Sequence, residues 1–166
     1  MGALFNISEV LTMAIQMEDN GAAFYRKAAE LREDKDQVDY LLQLARMEDD
    51  HKQIFAKMRD AAGGEQEGSQ FDLYNEGGLY LAGIASGHRV EGSPAIADTL
   101  TGDEPMVDIL KIAVELEKEA ILFYLGLKDV VPQDMGCDQI DSIIAEEKSH
   151  IVILTGELKK LESPAA

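Results

Sequence analysis

The chain has one cysteine, Cys137, in 166 residues. A lone thiol excludes an intrachain disulfide, a cysteine-based zinc site and any four-cysteine iron centre. Redox chemistry, if there is any, must rest on other ligands. Basic residues are also scarce: 15 Lys and Arg stand against 32 Asp and Glu, for a formal charge of -17. A field of that sign repels phosphate backbones and anionic lipid and gathers cations, so nucleic acid and membrane surfaces are poor partners. No apolar run approaches the ~18 residues of a membrane span. The opening MGALFNISEV shows neither a basic segment nor an apolar stretch with a cleavage site, so no export signal is read and a cytoplasmic location is the expectation. Alternating strand patterns are missing too. What remains is 46% apolar, enough for one core, and the length suits a single domain over residues 1–166.

Helical periodicity fills most of the sequence. A first helix is expected from about Ser8 to about Arg32, with Leu11, Ala14, Ile15, Ala22, Tyr25 and Ala29 on one stripe and Asn6 or Ser8 as its cap. A second runs from near Asp36 to about Ala61 with Val38, Leu41, Leu44, Ala45, Phe55 and Met58, and stops at Gly63-Gly64. The third opens at GDEP, where Asp103 can cap and Pro105 suits the first turn, and carries Leu110, Ala113, Val114, Ile121, Tyr124 and Leu127. The fourth starts near Asp138, with Ile140, Ile143, Ile144, Ile151, Leu154, Leu158 and Leu161. These make two helical hairpins. Between them, from about Gly63 to Gly102, lies a Gly-rich connection in which FDLYNEGGLYLAGIAS reads as a short broken helix and PAIADTL as another turn or two. A connection of that length can recross a bundle, so helices two and three can run parallel. The predicted fold is an all-α four-helix bundle.

A shift of 99 residues lays the second hairpin on the first without a gap in either half: Glu18 falls on Glu117, Tyr25 on Tyr124, Glu48 on Glu147 and His51 on His150. Apolar positions follow, with Phe24 on Phe123, Leu41 on Ile140 and Leu44 on Ile143. The hairpins read as two copies of one unit about a pseudo-two-fold axis.

Each of these acids lies on the apolar stripe of its helix. Glu18 is four residues after Ala14 and four before Ala22, and Glu117 stands likewise between Ala113 and Ile121. Residues i and i+3 differ by about 60° in azimuth and ~4.5 Å in height, so Glu48 with His51, and Glu147 with His150, turn inward together. Four carboxylates in a core are costly to desolvate and repel one another. No Lys or Arg shares the stripes to pair with them. Two divalent cations would cancel the four charges, and six side chains shared between two ions leave positions open for water, oxygen or peroxide. One Glu from each of two helices and Glu-x-x-His from each of the others is the ligand pattern of di-iron and di-manganese bundles. The expected metal ligands are Glu18, Glu48, His51, Glu117, Glu147 and His150, with Glu48 and Glu147 bridging and Glu18 and Glu117 terminal. Iron is the expected metal, and manganese and zinc also suit these donors.

The stretches MEDNGAAFY, EDDH, LEKEAILFY and EEKSH resemble the ferritin-like superfamily, and within it the rubrerythrin family. The resemblance implies a ferritin-like four-helix bundle holding two Fe ions, reaction with peroxide or oxygen, and a homodimer. Rubrerythrins also append a four-cysteine rubredoxin domain that feeds electrons to the di-iron site. This chain has no such cysteines, so an external electron donor such as a rubredoxin-like protein is expected. Rubrerythrins tend to carry a further carboxylate a turn after the third-helix Glu, where this chain has Ala120; its ligand set is closer to the general ferritin-like arrangement. The expected function is a di-iron oxidoreductase that reduces peroxide or oxygen. The alternatives are a non-catalytic iron-handling protein and a structural bundle that holds zinc or nothing.

Tyr25 and Tyr124 lie two turns from their glutamates, where each hydroxyl either bonds a ligand of the opposite hairpin or meets some other core acceptor. Glu115, Glu119 and Glu146 point about 100° or 200° away from the stripes and read as solvated. His88 reads as an exposed histidine, Cys137 as an inert thiol, and Met17, Met47 and Met58 as gap fillers.

Overall fold

The computed structural model describes residues 7–62, 96–131 and 133–163. Four long α-helices fill them: α1 Ile7–Glu30, α2 Lys35–Ala62, α3 Met106–Val130 and α4 Cys137–Glu162. The expected broken helix FDLYNEGGLYLAGIAS and His88 lie outside the described residues. Of the connection, the described part is a 3₁₀ turn at Ile96–Thr99 within PAIADTL, followed by an extended approach to α3.

The helix ends differ in detail from expectation, because side-chain capping is decided by local turns that periodicity does not report. Ser8 lies inside α1, where its carbonyl accepts the Thr12 hydroxyl at 2.7 Å. At α2 the cap is Asp34, whose Oδ1 accepts the Gln37 N–H at 2.9 Å and satisfies one of the free amides of the first turn. Asp103 does not cap α3: Pro105 is the N-cap residue and no side chain bonds there. Glu104 takes up the turn instead, accepting the Thr101 and Gly102 amides and the Thr101 hydroxyl, each at 2.9 Å. The Thr101 amide, Glu104's own amide, the Thr101 hydroxyl and the Gly102 amide together hold its carboxyl down at about 2. Before α4 the chain turns through Gly136 at φ +110°, a left-handed conformation that favours glycine.

Contacts across the bundle fix the helix directions. Tyr25 of α1 meets Glu117 of α3 and Tyr124 of α3 meets Glu18 of α1, so these two helices are antiparallel. His51 of α2 meets Glu147 of α4, and His150 of α4 meets Glu48 of α2, so these are antiparallel as well. With a short turn inside each hairpin, α2 and α3 run parallel, as the long connection allows.

The core forms two apolar layers. One gathers Leu11, Phe55, Phe123, Leu127, Ile140 and Ile143, and the other Phe24, Ala28, Leu41, Leu44, Ile109, Leu110 and Leu154. Nearly every stripe residue is buried or half-buried. Leu161, in the last turn of α4, is 46% exposed instead. Among the described residues no helix is long and apolar enough to cross a membrane.

Candidate metal centre

Between the apolar layers lies a polar one made of six residues: Glu18, Glu48, His51, Glu117, Glu147 and His150, none more than 5% exposed. Their helices deliver one Glu from α1, Glu-x-x-His from α2, one Glu from α3 and Glu-x-x-His from α4. The helical period that puts these residues on the apolar stripes also carries them to the bundle axis. All six sequence-predicted donors meet there.

The donors divide into two groups. In each, one ligand atom per residue lies within 4.8 Å of all the others: Glu18, Glu48, His51 and Glu147 form one, and Glu48, Glu117, Glu147 and His150 the other. Glu48 and Glu147 belong to both. Glu147 presents Oε1 to His51 Nδ1 at 3.0 Å and Oε2 to His150 Nδ1 at 2.9 Å. Glu48 likewise turns Oε2 to His51 at 3.8 Å and Oε1 to His150 at 3.9 Å. Glu18 and Glu117 each serve one side, at 3.5 Å from His51 and His150 respectively. The two imidazoles lie nearly parallel, with ring centres 5.9 Å apart.

Glu48 Oε1, both oxygens of Glu147 and both Nδ1 atoms are buried yet make no hydrogen bond. The oxygens of Glu147 stand 2.9–3.0 Å from the two Nδ1 atoms without the alignment a hydrogen bond needs, and Glu48 Oε1 is 3.9 Å from His150. Buried polar atoms without partners are costly. No Lys or Arg among the described residues bonds any of the four acids. A divalent cation in each group would meet both deficits, of charge and of coordination, and carboxylate and imidazole suit iron, manganese or zinc. The residues fit a metal site.

Electrostatics point the same way. Burial pushes Glu48 well above the usual carboxylate range, with Glu18 adding to it, and burial raises Glu117 to about 7. Glu147, against the burial that would raise it, is held at about 2 by His150 and His51. Those imidazoles, against their own burial, are raised to about 9 for His150 and about 11 for His51 by the facing carboxylates. Without metal the layer therefore holds protons that a cation must displace.

Two tyrosines close the layer. Tyr25 donates its hydroxyl to Glu117 Oε1 at 2.6 Å, and Tyr124 donates to Glu18 Oε1. Each hydroxyl thus bonds a carboxylate of the opposite hairpin. Burial, then Glu117 for Tyr25 and Glu18 for Tyr124, lifts both phenols well above their usual range, so they stay protonated donors.

One neighbour of the site escaped the sequence reading. Glu146, taken as solvated, is half exposed, but its Oε2 accepts the Nε2–H of His51 at 3.1 Å. Its position directly before Glu147 was the only available signal, since the partner sits on another helix. Glu115 does face outward, pairing with Lys118 at 2.6 Å. Cys137 is buried, its thiol directed at the Val131 carbonyl at 3.5 Å. Met58 fills the core, and Met17 packs against it.

The Rubrerythrin family model matches residues 9–99, more than half of the chain. A solved structure from Thermotoga maritima, described as a ferritin-like diiron-carboxylate protein, is 25% identical with a TM-score of 0.66, over 96% of this chain and 98% of that one. No curated protein matches. With its bundle and its buried Glu/Glu-x-x-His layer, the chain belongs to the rubrerythrin family.

Proposed function

We propose that the protein is a di-iron oxidoreductase that reduces peroxide or oxygen with electrons from an external donor such as a rubredoxin-like protein. The observation that carries this reading is the pair of overlapping four-donor groups sharing Glu48 and Glu147. In it, Glu18, Glu48, His51 and Glu147 would hold one iron, and Glu48, Glu117, Glu147 and His150 would hold the other. Bound there, iron would supply electrons to an O–O bond and open positions for the oxidant.

The chain's own residues do the rest. Glu48 and Glu147 each offer one oxygen to either side, tying the two positions into one unit. Tyr25 and Tyr124 fix the terminal acids: each hydroxyl takes up one lone pair of its carboxylate and holds a proton beside the site. The apolar layers above and below exclude bulk water, so the acids keep their directions without solvent competition.

A second reading is iron handling without turnover. Ala120 favours it: the position where the family tends to place a further carboxylate is a small apolar residue packed against the core, so the third helix offers a single acid to the layer. A homodimer belongs to the proposal too. It is supported by Leu125, Val152 and Ile153, large apolar side chains that are 46%, 72% and 48% exposed on the second hairpin, and light scattering of the purified protein tests it.

Rapid mixing of the reduced, iron-loaded protein with peroxide separates the readings. Fast oxidation repeated over many reductions supports the enzyme. A single slow oxidation that does not recycle favours iron handling, and no oxidation, with zinc retained on purification, favours a structural site.

A further inference from the structure

Under the 99-residue shift the halves agree at all six buried donors and at both tyrosines, but not at the residue preceding each Glu-x-x-His glutamate: that residue is Glu146 in the second half and Met47 in the first. The difference reaches the imidazoles. Glu146 extends from α4 to accept the Nε2–H of His51, on α2, at 3.1 Å. A carboxylate only accepts, so in the neutral imidazole that a metal requires the proton stays on Nε2 and the lone pair lies on Nδ1, which faces Glu147, Glu18 and Glu48. A carboxylate behind a ligating imidazole also makes it more basic and holds its ring in place. His150 turns the same edge inward, with Nδ1 toward Glu147, Glu117 and Glu48. Its Nε2, however, is buried without a hydrogen bond. At the equivalent of Glu146 stands Met47, whose thioether is at best a weak acceptor.

We propose that Glu146 makes the two metal positions unequal: the first divalent ion enters the group containing His51, and the second, held more loosely, enters the group containing His150. This rests on the metal reading of the site given above. Glu146 works through His51 and is a positioning residue. Loss of the outer partner of a ligating imidazole weakens metal binding by about 10–100-fold, which sets the expected gap between the two steps. The chain as a whole is then a one-ion protein at low metal supply and a two-ion protein only at higher supply.

Co²⁺ added to the metal-free, full-length protein tests this, followed by calorimetry and by the paramagnetically shifted NMR signals of the two imidazoles. At half loading the His51 ring signals, its exchangeable Nε2–H among them, are expected to show the large contact shifts of a ligating imidazole, while those of His150, its ring centre 5.9 Å away, show only the smaller through-space shift. Glu146→Ala should erase that preference by weakening the first step about 10–100-fold, with the second nearly unchanged. Glu146→Gln, which retains an acceptor oxygen, should restore part of it. Met47→Glu should tighten the second step and bring the two together. Because Glu146 is half exposed, its variants leave the apolar layers untouched. Equal shifts of both imidazoles at half loading, or an unchanged order in Glu146→Ala, overturn the inference while leaving a two-ion site standing. Failure of Co²⁺ to bind overturns the metal reading and this inference with it.

Discussion

The two hairpins share an interior and differ outside. Inside, Leu11 and Leu110, Ala14 and Ala113, Phe24 and Phe123, and the donors themselves correspond pair by pair. Outside, both hairpins carry interhelical ion pairs, Arg26 with Asp49 and Lys52 with Asp19 in the first and Lys111 with Glu162 and Lys128 with Asp141 in the second, but only the second adds bare apolar surface. The position equivalent to Arg26 is Leu125, and that equivalent to Gln53 is Val152; every large apolar residue exposed among the described residues lies on the second hairpin. The turns differ as well, one capped by Asp34 and the other bent through Gly136. Residues that aim at a common point are held by geometry, and those that meet solvent need only remain soluble.

The largest test of this equivalence is to break what the halves share. Glu147→Ala removes a donor from both groups, so bound metal should fall from two ions to almost none by elemental analysis after dialysis. Glu18→Ala and Glu117→Ala each remove a donor from one group only, so each should leave one ion, held more tightly in the Glu117 variant. Removing the metal comes next. For an ion present at about 1,000 times its dissociation constant the linkage is worth ~4 kcal/mol, or roughly 10 °C in Tm for a domain of this size. That difference should grow with pH. In the metal-free protein His51 and His150 are raised above the ordinary 6.5, so their contribution is complete below pH 6.5 and lost as pH rises through about 9 and then about 11. Metal binding requires the same imidazoles unprotonated and gains over that range. Melting curves of chelated and loaded protein at pH 6 and pH 9 should therefore diverge.

The turns provide a smaller contrast. Gly136→Ala forces a left-handed backbone on alanine and brings its Cβ to 2.7 Å from Met58 Cε, for a cost of about 1–3 kcal/mol. Asp34→Ala removes one cap, at ~1 kcal/mol; urea melts rank the two. Tyr25→Phe and Tyr124→Phe each delete one hydroxyl-to-carboxylate bond, and each should lower stability by ~1 kcal/mol. Unequal losses would show that the halves are less alike than their sequences. The smallest effect belongs to Glu104→Gln. Because the Glu104 carboxyl is depressed to about 2, its contribution is present above pH 4.5 and lost as pH falls through about 2. Wild type and variant should therefore differ near neutrality and converge in acid.

How much was legible in the sequence follows from the range of each signal. The helical period is local, so an acid at position 18 or 147 announces itself against its own stripe, and duplication repeats the message. Capping depends on a turn's own hydrogen bonds, which is why Asp34 caps a helix for which the sequence named no cap and Glu104 takes up the turn assigned to Asp103. Glu146 lies off its helix's stripe, and only the approach of α2 gives its carboxylate something to hold. Leu161 keeps the phase of its stripe in the last turn of α4 and is 46% exposed there.

The crossed tyrosines carry a last consequence. Tyr25 serves Glu117 and Tyr124 serves Glu18, so neither hairpin contains a finished half of anything. Severing the polypeptide between Ala62 and Ile96 would leave each of these acids and its hydroxyl on different fragments. The molecule behaves as a dimer whose symmetry is enclosed in one chain, bound by covalent continuity to find its other half every time it folds.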